Sequence, residues 1–88
     1  MNVMSSEELA AKYIQKAERA LTELKIINNE GRPDTGKVKA VVDEAKRYLE
    51  DAKYYSANER FETSLASVAY CEGLLDALRM LGYVEFSW

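Results

Sequence analysis

Four features of this 88-residue chain bear on what chemistry it could do. The first is Gly31-Arg32-Pro33-Asp34-Thr35-Gly36-Lys37-Val38, which spells G-x-x-x-x-G-K and then has valine where a phosphate loop needs serine or threonine to hold magnesium. Such a loop also follows a strand and lines its turn with backbone N–H groups. Here it follows a helical pattern, and Pro33 removes one N–H. The segment reads as a helix–helix connection. The second group is the acidic ridge Glu72, Asp76 and Arg79, with Glu62 farther along. Glu72 and Asp76 are one turn apart, a spacing that admits a weak divalent-cation or nucleotide contact. A carboxylate metal site in a bundle, however, draws inward-facing ligands from several helices, often with histidine. Arg79 is placed to neutralise Asp76. The third is Cys71, a single thiol that excludes an internal disulfide and any multi-cysteine zinc site, and reads as a small buried hydrophobe. The fourth is an absence. No histidine occurs, which removes Ser-His-Asp and Cys-His catalysis and histidine metal sites. No catalysis, cofactor or metal is expected.

These residues need elements to position them, and composition says which. Few glycines, one proline and a 48% hydrophobic content suit a small helical domain with a single core. The net charge of −3 makes a nucleic-acid partner unlikely. Lys12, Lys16 and Arg19 would be its contacts, but acids share that face. No apolar stretch is long enough to span a membrane and no signal peptide is evident, so a cytoplasmic location is expected.

The hydrophobic spacing predicts three helices over about 6–28, 35–56 and 59–81. Ser5 and Glu8 form a capping box at the first start. Ala10, Tyr13, Ala17, Leu21, Leu24 and Ile27 then mark its inner stripe, with Glu8–Lys12 and Arg19–Glu23 as outward i,i+4 pairs. The stop is expected at Asn28-Asn29-Glu30-Gly31, and the next N-cap at Asp34 or Thr35. The second helix turns Val38, Val41, Val42, Ala45, Tyr48, Leu49, Ala52 and Tyr55 inward and a ladder of Lys39, Asp43, Arg47 and Asp51 outward. A corner at Ser56-Ala57-Asn58, capped by Ser56 with Glu59 or by Asn58, makes the second and third helices antiparallel neighbours. The fold class is therefore all-α, an up-and-down three-helix bundle in one domain.

The third helix is apolar on nearly two faces. Phe61, Leu65, Val68, Leu75 and Leu78 form one stripe; Tyr70, Leu74, Ala77 and Leu81 form a second beside it. Such a helix is central to its bundle or shared with a partner. Gly73 lies mid-helix, where glycine costs on the order of 1 kcal/mol relative to alanine. Close approach of the first or second helix is the expected compensation, with a partner chain or ligand as the alternative. After the Gly82 stop, residues 83–88 carry Tyr83, Phe86 and Trp88, aromatics suited to binding hot spots. They either fold back over the open side of the bundle or dock elsewhere. The candidate interaction surface is thus Tyr70, Gly73, Leu74, Leu81, Tyr83, Phe86 and Trp88. It would serve an interaction or assembly module that binds another protein or a second copy of itself.

The run Tyr54-Tyr55, Asn58-Glu59-Arg60-Phe61 and Ala69-Tyr70-Cys71-Glu72-Gly73-Leu74-Leu75-Asp76-Ala77 resembles an archaeal family catalogued as domain of unknown function 357. Its members show Y-F, a G-D-Y-like corner and Y-A-x-G-L-L-D-A on the last helix. The resemblance is specific over about residues 48–82. It implies a small three-helix bundle and no assigned activity. It sets Asn58 at a glycine-like, left-handed corner and Cys71 at a packing position where alanine is common.

Overall fold

The computed structural model describes residues 3–27 and 35–88. Three helices, α1 (Ser6–Glu23), α2 (Thr35–Ala57) and α3 (Phe61–Met80), run up, down and up. Two short strands, β1 (Lys25–Ile26) and β2 (Val84–Glu85), pair antiparallel with Lys25 opposite Glu85 and Ile26 opposite Val84. The chain is an all-α three-helix bundle with a two-residue ribbon clipped to one end.

The start of α1 follows local chemistry. Ser5 Oγ accepts the Glu8 N–H at 3.1 Å, and Glu8 Oε1 accepts the Ser5 N–H at 3.2 Å, closing the capping box. Its end differs from expectation. The helix stops at Glu23, and Leu24 turns to extended backbone (φ −61°, ψ 133°), five residues before the expected boundary. The reason is tertiary. As a strand, Lys25–Ile26 meets β2, and the Ile27 N–H reaches the Tyr83 carbonyl at 2.9 Å. Leu24 and Ile27 fit a helical stripe, while Leu24 and Ile26 fit strand alternation equally well, so the pattern alone cannot decide. The Asn28–Gly31 stop, the first half of the phosphate-loop-like segment and the Asp34 cap lie outside the described residues; Thr35 is the first residue of α2.

The α2–α3 corner also corrects the sequence reading. Glu59, not Asn58, takes the left-handed conformation (φ 61°). The Glu59 N–H bonds the Ser56 carbonyl at 3.1 Å and the Arg60 N–H bonds the Tyr55 carbonyl at 2.8 Å, a Schellman closure of α2. Asn58 Nδ2 donates to the Tyr54 carbonyl at 2.8 Å, so it ties off α2 rather than capping α3. Arg60 is the N-cap of α3 and makes no side-chain cap bond, so the Ser56–Glu59 capping box does not form. The same closure ends α3, with Gly82 in the left-handed position (φ 79°) and the Tyr83 N–H on the Leu78 carbonyl at 2.9 Å. One corner thus has glycine and the other a glutamate that crowds its own carbonyl. Glu59→Gly is expected to stabilise the fold by roughly 1 kcal/mol, read as a higher denaturant midpoint at unchanged slope.

The core has two connected parts. Ala17, Ala45, Leu49, Ala52, Val68, Cys71 and Leu75 meet at the centre, where the alanines let the helices approach closely. Val38, Val42, Leu78 and Val84 form a second cluster beneath the ribbon. Buried Ser64 donates its hydroxyl to the Ala52 carbonyl at 2.7 Å, which satisfies its polar atom across the α2–α3 contact. Phe61 and Leu65 are only half-buried at the corner end. Outside, Lys53 joins Glu18 of α1 and Glu50 of α2, and Arg47 pairs with Glu44 three residues back rather than with Asp43 of the expected ladder. Lys53 is held above the usual lysine range by Glu18 first, and Glu44 below the carboxylate range by Arg47. Both are exposed pairs and contribute little to stability.

Candidate functional site

The candidate residues divide between two sides of α3. On one side, Ala66, Ala69, Tyr70, Gly73, Ala77 and Met80 are exposed, and none of the six is charged. Their spacing of three and four residues puts them on one strip along the helix. Tyr70 is 65% exposed and Met80 85%. The Tyr70 ring stacks on Tyr48 of α2, centroids 5.3 Å apart and planes 20° from parallel, so it is braced from beneath. Beside it lies an open groove of about 470 Å³ lined by Ala66, Ala69, Tyr70, Gly73 and Leu74. Leu74 is half-buried against the core and forms the floor on that side, while Leu81 is 59% exposed at the far end.

Gly73 departs from expectation. A Cβ built there meets nothing within 4 Å, so α1 and α2 do not approach it and the intramolecular contact is absent. Within the fold this glycine carries its helix penalty without compensation. Gly73→Ala is therefore expected to raise the stability of the isolated chain by about 0.5–1 kcal/mol, measured by urea unfolding.

On the other side, the aromatic tail folds back. Val84, in the ribbon, is 2% exposed and packs on Val38, Val42 and Leu78. Phe86 and Trp88 are partly buried against the core, edge to face with centroids 4.9 Å apart. Trp88 Nε1 donates to Asp76 Oδ1 at 2.7 Å, and Arg19 Nη2 donates to the Trp88 carbonyl at 2.6 Å. The Lys16 ammonium lies 6.0 Å from the Trp88 ring centroid and 5.4 Å from that of Tyr13. The tail straps α1 to α3. Tyr83, Phe86 and Trp88 thus sit apart from Tyr70 and Gly73, and the candidate surface is not one continuous patch. Arg19, expected to pair with Glu23, holds the strap instead. That contact was not foreseen, although an indole N–H near an acidic ridge is a usable signal, because a buried indole seeks an acceptor. Of the remaining aromatics, Tyr54 is exposed and Tyr55 lies under Arg60, 5.1 Å from ring centroid to guanidinium.

The polar ridge is engaged by the same strap. Asp76 Oδ1 also accepts from Arg79 Nη2 at 3.0 Å, and the Arg79 guanidinium lies 4.8 Å from the Phe86 centroid. Glu72 differs from both. One of its carboxylate oxygens is buried without a hydrogen-bond partner among the described residues, beside a cavity of about 240 Å³ lined by Tyr13, Leu65, Val68, Ala69 and Glu72. Burial pushes the Glu72 carboxyl above the usual range; Lys16 opposes this and Asp76 adds to it. The folded state thus holds this proton more tightly than the unfolded chain, and stability falls as pH rises through the folded pKa. Glu72→Gln is expected to melt higher than wild type at pH 7, with the difference shrinking as acid protonates Glu72. Thermal melts at pH 7 and pH 4 (about the ordinary Glu value) check this. Among the described residues no group of three or more acid or cysteine side chains is arranged to hold a metal ion. Cys71 is fully buried and its thiol is pushed up to about 11 by burial and then by Glu72, the opposite of an activated nucleophile.

Fold and site together define a small three-helix bundle with one apolar helix face open and its C-terminal strand strapped across the opposite side. The model of the family described as protein of unknown function (DUF357) matches residues 12–84, and the chain belongs to that family. No curated protein and no solved structure matches the chain. No helix among the described residues is long and apolar enough to cross a membrane.

Proposed function

We propose that this chain is a cytoplasmic protein-interaction module rather than an enzyme, and that it docks another protein chain through the exposed face of α3. One observation carries the reading. The strip from Ala66 to Met80 is exposed and uncharged, and at its centre Gly73 weakens the helix without any contact inside the fold to account for it. Contiguous exposed apolar surface of this kind marks interaction sites. The cation-binding alternative is less supported, because Asp76 is already shared by Trp88 and Arg79.

The test is capture from lysate of the source cells with wild-type bait and a Gly73→Glu bait. The variant has room for its side chain and is expected to fold, checked by circular dichroism. Wild type is expected to retain a protein chain that the variant loses. Equal retention by both baits would place the interface elsewhere and overturn the proposal.

A further inference from the structure

We infer that the C-terminal strap is a latch set by the charge of Glu72: Lys16 rests on the Trp88 ring while Glu72 is neutral, and moves to the Glu72 carboxylate when it ionises, which loosens the tail. The latch lies on the side of the molecule opposite the exposed α3 strip and does not depend on what docks there.

Three groups are placed for it. The Lys16 ammonium lies 5.4 Å from the Tyr13 ring centroid and 6.0 Å from that of Trp88, the second distance at the outer limit of a cation–ring contact. Glu72 lines the same hollow as Tyr13, about 240 Å³ in volume, which leaves the lysine room to cross. One Glu72 oxygen is buried without a hydrogen-bond partner, and among the described residues no ion pair joins Glu72 to Lys16. A neutral carboxyl costs far less in that position than an ionised one. A desolvated charge needs a partner, and Lys16 is the cation whose field reaches it.

The other charges nearby are already engaged. Those acting on Glu72 are Lys16 from α1 and Asp76 from its own helix, and among the described residues neither α2 nor the ribbon adds one. Asp76 is held by Arg79 and by the Trp88 indole, and Arg19 by the Trp88 carbonyl. Among the described residues, Lys16 is held by ring contacts alone. Tyr13 keeps a cation when Lys16 leaves, since the Lys12 ammonium lies 5.9 Å from its centroid, whereas Trp88 does not. The loss therefore falls on the strap. The adjoining Cys71 thiol, pushed up to about 11, stays neutral throughout. Burial raises the pH at which Glu72 ionises, so the change falls above the ordinary Glu range. The strap is tighter below that pH and looser above it.

Trp88 is the single tryptophan, so its indole N–H gives one magnetic-resonance signal whose hydrogen exchange reads opening of the strap. The rate is compared between wild type and Glu72→Gln at each pH from about 4 to about 8, so that the intrinsic pH dependence of exchange and the titration of Asp76 cancel. The ratio of wild type to variant is expected to be near unity in acid and to rise about two- to fivefold as Glu72 ionises, the size of one exposed cation–ring contact. In a Lys16→Met background, which keeps the apolar stem and the folded bundle, the ratio is expected to stay flat, with the strap loose at every pH. A flat ratio in the chains that retain Lys16 would overturn the latch. So would an equal rise in the Lys16→Met background, because Glu72 would then act on overall stability or on Asp76 directly rather than through Lys16.

Discussion

A chain ending at Gly82 is expected to lose cooperative unfolding at ordinary temperature. The sequence leaves residues 83–88 free either to fold back or to dock elsewhere; in the fold they supply Val84 to the cluster with Val38, Val42 and Leu78, and they lay Phe86 and Trp88 over the central core. Full burial of one such side chain contributes about 1.5–3 kcal/mol. With Phe86 and Trp88 only partly buried, the three together are worth on the order of 5 kcal/mol. Deletion also removes the β1–β2 pairing and the bonds from Trp88 to Asp76 and from Arg19 to Trp88. A domain of this size has about 4–13 kcal/mol in total. The loss is therefore comparable to the whole stability, and the melting temperature should fall by roughly 20–40 °C if a transition survives. Circular dichroism melts of the two chains check this. An unchanged transition would show that the strap is dispensable. Truncation consequently cannot separate binding from folding in this protein, which is why substitutions on α3 are the proper probes of function.

Leu75→Ala is the second large effect. Leu75 is completely buried on the inner stripe of α3, among Ala17, Ala45, Leu49, Val68 and Cys71. Of these neighbours only Leu49 has a long side chain, so little is available to fill the cavity left by the missing branch. Loss of transfer energy plus the cavity gives about 2–5 kcal/mol, with the upper half expected at so rigid a site. Urea unfolding should show a lower midpoint with little change in slope. A cost below about 1 kcal/mol would mean that the helices close over the gap, and that the core is looser than its alanine contacts indicate.

How much of this was legible in the sequence depended on whether the signal was local. The capping box at Ser5 and Glu8, the glycine stop at Gly82 and the middle of each inner stripe (Ala10 and Ala17, Val42 and Leu49, Val68 and Leu75) depend on residues a few positions apart, and they appear as expected, while Phe61 and Leu65 are only half-buried. The ribbon depends on Ile26 meeting Val84, far along the chain, so Leu24 and Ile27 were read as a helical continuation. The corner was misread because Ser56, Asn58 and Glu59 are all plausible there. The choice of Glu59 for the left-handed position follows from the Schellman bonds to Tyr55 and Ser56 carbonyls, which composition does not encode. At the site, the exposed strip through Tyr70 and Gly73 was visible as excess apolar spacing. The absence of any neighbour at Gly73 was not, because a mid-helix glycine signals close approach without saying to what. The separation of the tail from that strip was equally hidden, since only the contacts of Trp88 with Asp76 and Arg19 decide the side on which it lies.

Photo-cross-linking in the source cells tests the account most directly. A photoreactive residue is placed at Ala69 on the strip, and for comparison at Ala11 on α1 and Ala40 on α2, which are also exposed. The expected result is a discrete adduct from Ala69 alone, at twice the chain mass if the partner is a second copy. Adducts of equal yield from all three positions, or none from Ala69 while another position gives one, would contradict the assignment of the α3 face as the interface.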